Sequence, residues 1–290
     1  MKLIDGKQVA SNLLKEIQEE VLTLPTKPLI AFILVGNHPA SITYVRAKKK
    51  ACLLTGIDSK VIELPNSTSE GELLDLIDAL NQDSQVTGIL VQLPLPSSID
   101  ESKITNAIQP TKDIDGFHPL NLGKTLIGDD SAILPCTPQG IHVLLEKYQI
   151  PVEGKHVVIV GRSNIVGKPL AAILMQKKKN CNATVTICHS RSKNLSEITK
   201  SADILVAAIG SAHFINKEMI KANAVVVDVG INRVNGKIVG DVHFEEVAPL
   251  CSYITPVPGG VGPMTIAMLL KNTLKCYSIP LRLNDSNDHI

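Results

Sequence analysis

The chain has no tryptophan and only four tyrosines and four phenylalanines in 290 residues. An aromatic content of 3% leaves little from which to build stacking platforms for single-stranded nucleic acid. An excess of either charge is missing too. Lys and Arg total 29 against 28 Asp and Glu, a formal net charge of +1, so there is neither a basic footprint for nucleic acid nor an acidic tail. Apolar runs such as 204–210 are far shorter than the roughly 20 residues that span a bilayer. The opening Met-Lys-Leu-Ile-Asp-Gly-Lys lacks the apolar stretch of a secretory signal. None of Cys52, Cys136, Cys181, Cys188, Cys251 and Cys276 forms a Cys-x-x-Cys or stands at ligand spacing with a histidine, and the eight histidines show no such spacing among themselves. The expectation is a reduced, cytoplasmic chain without disulfides, metal, membrane contact or nucleic-acid partner.

What is present is an α/β pattern. Apolar residues make up 44% and charged residues 20%, a globular balance, and the length allows about two domains of roughly 150 residues. Short β-branched runs alternate with helical stretches, which predicts mainly parallel sheets. The run 29–35 reads as a buried strand. It is followed by a helix over 39–54 that ends at Gly56, a C-cap position, then a strand at 61–64. A helix over 69–80 opens with Ser69 and Glu72 in capping-box spacing, and 88–93 is another buried strand. A loop-rich hinge follows over 110–138, where Thr137-Pro138 reads as the N-cap and first residue of a helix to Tyr148. The second half reads as strands at 156–160, 184–188, 204–209 and 225–229, with a helix at 168–179. A glycine-rich segment at 256–262 leads to a last helix over 263–276, and the polar tail from Pro280 to Ile290 is expected to fray.

Gly161-Arg-Ser-Asn-Ile-Val-Gly-Lys-Pro169 lies between a predicted strand and helix, where a doubly wound fold binds pyrophosphate with backbone N–H groups and a helix N-terminus. Five residues separate its glycines where a triphosphate-binding P-loop needs four, and Pro169 stands where that loop has Ser or Thr. Ser163 takes the middle glycine of G-x-G-x-x-G, so an ordinary tight βα turn competes with the nucleotide reading. At the end of the next strand an NAD site commonly places an acid for the ribose 2′-hydroxyl. This chain has His189-Ser-Arg-Ser-Lys193 there, and hydroxyls and cations suit a 2′-phosphate. NADP is therefore favoured over NAD, with Arg162 as a further contact. A solvated basic turn is the competing reading.

Tyr44 and Lys48 are four apart on one predicted helix and share a face, although Lys48-Lys49-Lys50 alone would read as a solvated run. Gln92 is a polar residue in the otherwise apolar Val91-Gln-Leu-Pro-Leu-Pro96, a costly placement unless it is paired. Asp113 and Asp115 fall in the loop Lys112-Asp-Ile-Asp-Gly-Phe-His118.

With Tyr44-Val-Arg-Ala-Lys48, Pro135-Cys-Thr-Pro-Gln-Gly140, Val227-Asp-Val-Gly-Ile231 and Pro256-Val-Pro-Gly-Gly-Val-Gly-Pro-Met-Thr265, these motifs run in order along nearly the whole chain. Together they resemble the bifunctional methylenetetrahydrofolate dehydrogenase/cyclohydrolase family. The resemblance implies two α/β domains flanking a cleft. A folate-binding catalytic domain takes 1–137, with the helix from about 263 to 290 packing back on it. A Rossmann-like NADP-binding domain takes 138–262. It implies a catalytic set of Lys48 as the central group, Gln92 tuning it, Tyr44 stacking on the aminobenzoyl part of folate and Asp115 holding the pterin. Val91, Leu93, Pro258, Gly259, Gly260, Val261 and Gly262 would complete the substrate site. Gly161, Arg162, Ser163, Ser190 and Ile231 match cofactor positions. The implied substrates are tetrahydrofolate derivatives, and the implied assembly is a homodimer.

The implied chemistry suits these residues. Hydride transfer from the one-carbon bridge to a nicotinamide needs positioning and exclusion of water, not an acid–base dyad. Hydrolysis of the methenyl product does need proton movement, and a lysine serves there when burial or neighbours lower its pKa. A different two-domain NADP dehydrogenase, for example one acting on a cyclic hydroxy acid, would explain the second half but not Gln92 or the full 256–265 motif. A non-catalytic dinucleotide-binding module would have no need of Tyr44, Lys48, Gln92 and Asp115 together. On the cofactor reading, Arg162→Ala weakens NADP binding much more than NAD binding. A lost charge-assisted contact is worth about 1.5–3 kcal/mol. Titration with both cofactors checks this, and equal losses would refute the role.

Overall fold

The computed structural model describes residues 1–285 and shows the expected mixture of helices and parallel strands. The chain groups into two compact units. One consists of Asn12–Lys124, Ser131–Leu134 and the segment from Ile266, and the other of Met1–Ser11, Thr125–Asp130 and Pro135–Thr265.

The first unit is built on three parallel strands, with Leu29–Val35 in the middle, Asp58–Leu64 on one side and Gly88–Val91 on the other. Ile30 to Val35 are all buried, as a strand covered on both faces requires. Ala31, Ile33, Ile89 and Val91 pack with Leu73, Ile77 and Leu80 of the helix Glu70–Gln82 and with Ile104 and Ile108. Burying side chains of this size stabilises the unit by roughly 1.5–3 kcal/mol each before entropy is counted. The capping box is present: Ser69 Oγ accepts from the Glu72 N–H at 3.2 Å, and Glu72 Oε2 accepts from the Ser69 N–H at 2.8 Å. Gly56 closes the helix Pro39–Thr55 in the left-handed conformation, at φ 78°. Along the last helix, Asn272 Nδ2 donates to the Ile114 and Leu134 carbonyls and Lys275 Nζ to that of Ala132.

The second unit holds a six-stranded, wholly parallel sheet. Its order is Lys2–Leu3, Tyr253–Ile254, Val225–Asp228, Ile204–Ala207, His156–Val160, Thr184–Cys188. Residues 1–11 group here because Lys2–Leu3 adds an edge strand beside Tyr253–Ile254. A two-stranded hairpin, Asn232–Val234 with Lys237–Val239, turns at Asn235-Gly236, both at positive φ.

Several elements differ from the sequence reading. The expected hinge over 110–138 contains a helix, Pro119–Ile127, whose buried positions include Asn121 and Thr125. Its buried positions are partly polar while Leu120, Leu126 and Ile127 are exposed, so its apolar residues do not mark the buried face. The next helix is Cys136–Lys147 with Pro135 as its N-cap residue, and the Thr137 hydroxyl pairs with that of Thr265 at 2.9 Å instead of capping. The helix expected to reach 179 stops at Leu174, ahead of Asn180 and Asn182 in the left-handed region. The helix Gly6–Thr23, not read from the sequence, buries Ala10, Leu13, Ile17 and Val21 at helical spacing. The last helix runs Val261–Asp285, beyond both expected limits, and residues 286–290 of the tail lie outside the described residues. Ser69→Ala is expected to cost about 1 kcal/mol through loss of the cap, read from the midpoint of chemical unfolding.

Candidate active site

From Leu29–Val35 the chain crosses to Asp58–Leu64 on one side and then to Gly88–Val91 on the other. Ligands of open parallel sheets bind at such a reversal, outside the carboxyl ends of the strands. Two of the expected residues meet there. The helix Pro39–Thr55 buries Val45, Lys48 and Cys52 along one stripe, which places Lys48 at a core position with 8% exposure. Lys49 and Lys50 are exposed, so the three lysines are not equivalent. Lys48 Nζ donates to Gln92 Oε1 at 3.1 Å. Gln92 Nε2 donates to the Leu93 carbonyl at 2.8 Å, which fixes which end of the amide faces the lysine. The strand stops at Val91, two residues earlier than expected, but the Gln92 N–H still donates to the Ile33 carbonyl at 2.9 Å, so the residue is anchored.

One turn beyond Lys48, burial pushes the Cys52 thiol up to about 12, against the pull of the Lys48 charge. Cys52 therefore stays protonated and is no nucleophile. Tyr44 lies one turn before Lys48 and is 41% exposed.

The two aspartates of the 112–118 loop part company. Asp113 is buried and accepts from the Gly116, Phe117 and His118 N–H groups and from Asn121 Nδ2. Burial raises its pKa, opposed by those donors. Asp115 is only half-buried and lines a small recess with Val91, Leu93 and Phe117. Asp113 borders the same recess but is buried and engaged by the loop's own N–H groups, whereas Asp115 is the more exposed of the two.

The remaining candidates lie in the second unit. There the chain leaves His156–Val160 for Thr184–Cys188 on one side and Ile204–Ala207 on the other, a second reversal. Gly161 sits at it with φ 137°, and a Cβ there would lie 2.1 Å from the Ala208 carbonyl oxygen. At Gly167 a Cβ would lie 2.0 Å from the Gly161 carbonyl oxygen, so both loop glycines are sterically required. Ser163 Oγ accepts from the Val166 N–H at 3.1 Å just ahead of the helix Gly167–Leu174. Arg162 and Ser163 are exposed, as are Ser190, Arg191 and Lys193 after the neighbouring strand. This is a compact turn feeding a helix N-terminus, flanked by cations and hydroxyls and without an acid at the second strand end. Such a donor set fits a dinucleotide carrying a 2′-phosphate. Ile231, 49% exposed, follows the strand Val225–Asp228. Its Cδ1 lies 3.7 Å from the position a Cβ on Gly262 would take, beside the 258–262 turn.

Residues 4–115 match the catalytic domain of tetrahydrofolate dehydrogenase/cyclohydrolase, and residues 135–280 match the NAD(P)-binding domain of the same family. The chain belongs to this family. It is 57% identical over 277 residues to the bifunctional protein FolD of Oceanobacillus iheyensis, covering 94% of this chain and 95% of that one. Among solved structures it is similar to the FolD methylenetetrahydrofolate dehydrogenase/cyclohydrolase of Campylobacter jejuni. The TM-score is 0.92 at 50% identity, covering 95% of this chain and 98% of that one. It is also similar to the N5,N10-methylenetetrahydrofolate dehydrogenase-cyclohydrolase of Trypanosoma brucei, solved with NADP cofactor and an inhibitor. There the TM-score is 0.90 at 38% identity, covering 97% and 98%.

The sequence reading missed how this family member holds its 258–262 turn. A Cβ on Gly6 would lie 1.8 Å from the Gly260 carbonyl oxygen, and the Lys7 N–H donates to the Gly259 carbonyl at 2.9 Å. The Asp-Gly-Lys at 5–7 was the available signal, a glycine at the first position of a helix with no turn to make. For the first unit, Lys48→Met is expected to lower hydrolysis of the methenyl substrate by about 10²–10⁴-fold, the usual contribution of a proton-transfer group. Dehydrogenase activity survives in part, because Met keeps much of the apolar stem. Lys49→Met serves as the control in both assays. If the two variants behave alike, Lys48 has no special role.

Proposed function

We propose that the chain oxidises 5,10-methylenetetrahydrofolate with NADP and then hydrolyses the 5,10-methenyl product to 10-formyltetrahydrofolate, two steps of one-carbon metabolism. The observation that carries this reading is the buried Lys48 donating to Gln92 at the carboxyl edge of the first unit's sheet. Family membership supports both activities and the cofactor.

In the first step a C–H bond of the one-carbon bridge breaks, and NADP, when bound, accepts the hydride. The Gly161–Gly167 turn, Arg162, Ser163, Ser190 and Ile231 hold that cofactor. Tyr44 stacks on the aminobenzoyl ring, Asp115 accepts from the pterin N–H groups, and Val91 and Leu93 complete the folate site. In the second step water adds to the bridge carbon, a proton leaves, and one ring C–N bond opens to give the formyl group. Lys48 moves the proton, and Gln92 keeps its Nζ aimed. In this reading the folate-binding catalytic domain is 1–137 with the helix from about 263, and 138–262 is the NADP-binding domain. The chain works as a cytoplasmic homodimer. The dimer follows from the family resemblance, while six buried cysteines, none of them in a disulfide, support a reducing compartment. No helix among the described residues is long and apolar enough to cross a membrane.

Purified protein with NADP and methylenetetrahydrofolate is expected to yield reduced cofactor and methenyl product by absorbance, followed by loss of the methenyl band. No cofactor reduction would reject the dehydrogenase. In the same assay Asp115→Ala impairs both steps through weaker folate binding with NADP binding intact. Asp113→Ala is the control for a loop that has lost its internal support. Unchanged folate affinity in Asp115→Ala would reject the pterin role.

A further inference from the structure

Asp228 and Asp241 belong to none of the roles above, yet they are the polar centre of the second unit. Asp241 is fully buried and Asp228 is 4% exposed. Asp241 Oδ2 accepts from the Ile209 and Gly210 N–H groups at 2.6 and 2.9 Å. Its Oδ1 accepts from the Ser211 N–H at 3.0 Å and from Asn232 Nδ2 at 2.9 Å. Asp228 Oδ1 accepts from the Gly230 and Asp241 N–H groups at 3.0 and 2.9 Å, and its Oδ2 from the Val242 N–H at 2.9 Å. The second carboxylate thus holds the backbone of the residue that bears the first. The fit leaves no slack: a Cβ on Gly230 would lie 2.2 Å from Asp241 Oδ1, and one on Gly240 would lie 1.8 Å from Asp228 Oδ2.

Two buried carboxylates side by side carry a desolvation cost, offset here by the backbone N–H donors that converge on them. Their placement accounts for them. Ala207 and Asp228 are register partners at the carboxyl ends of adjacent strands, and the loops that leave those ends are 209–211 and 230–232. Asp241 grips both loops. The first continues from Ala208, whose carbonyl abuts Gly161 of the phosphate turn, and the second carries Ile231. Asp228 is tied onward, because its N–H donates to Thr255 Oγ1 at 2.7 Å just before the 258–262 turn.

We propose that Asp241, backed by Asp228, is a positioning residue for the cofactor. It presets the 209–211 and 230–232 loops as a rigid wall of the dinucleotide site, so that NADP binding does not bear the cost of ordering them. This rests on the cofactor placement proposed above. Asp241→Asn keeps the shape but turns an amide N–H₂ toward backbone N–H donors, so the loops loosen. The Michaelis constant for NADP in the dehydrogenase assay is expected to rise at least about tenfold, the equivalent of one lost charge-assisted hydrogen bond. Turnover at saturating NADP falls far less. The cyclohydrolase rate, which uses no NADP, is unchanged. Asn232→Ala removes a single donor from the Asp241 carboxylate and gives a smaller rise in the same direction; it decides the matter if circular dichroism shows that Asp241→Asn fails to fold. Arg162→Ala runs alongside. If it leaves NADP affinity untouched, the cofactor placement fails. If it weakens NADP while folded Asp241→Asn and Asn232→Ala do not, the positioning role alone fails. Parallel loss of both activities in Asn232→Ala would show a general structural role and overturn the proposal.

Discussion

A parallel sheet sends every strand's carboxyl end to the same edge, and both units of this protein depend on that constraint. Each crossover delivers its loop to one side, so residues far apart in sequence arrive together without any dedicated tether. Lys48 and Gln92 are 44 positions apart and meet because their segments leave neighbouring strands at one edge. The phosphate turn and the loop after Ile204–Ala207 meet in the same way. The candidate residues named from each unit's strand ends therefore gather at one rim, and the rest of its sheet holds that rim in place.

The two rims are stiffened by different means. In the first unit Lys48 is itself part of the helix's buried stripe, so packing orients its stem and one amide orients its tip. In the second, where the candidate cofactor residues are exposed, the support comes from beneath. Glycines admit close backbone approach, and buried carboxylates collect the N–H groups of the strand-end loops. Asp113 does the same for the loop that carries Asp115. Carboxyl oxygens suit this work because each Asp side chain has enough lone pairs to bind several backbone donors at once.

Much of this was legible in the sequence where one residue type answers one physical need. The apolar runs marked the buried strands, Ser69 with Glu72 marked a helix start, and Gln92 in an apolar stretch announced a paired polar group. The motif order along the chain carried the family. What escaped had a weaker or contrary signal. The helix Pro119–Ile127 buries Asn121 and Thr125 and exposes Leu120, Leu126 and Ile127, so its apolar stripe points away from its buried face. The hairpin at Asn235-Gly236 did carry a turn signature, but its strands are only three residues long and mostly exposed. Asp241 is a single acid after a glycine in Val239-Gly-Asp-Val242, and only the folded chain reveals how many donors converge on it.

The division of the chain has a further consequence. It passes from one unit to the other at 11–12, 124–125, 130–131, 134–135 and 265–266. No continuous stretch of sequence corresponds to either unit. A cut near residue 137 would deprive the three-stranded sheet's unit of the helix that supplies Asn272 and Lys275, and would take the edge strand Lys2–Leu3 from the other. The two parts cannot be inherited, expressed or exchanged as separate cassettes. For this chain, gene fusion or domain shuffling must move both together.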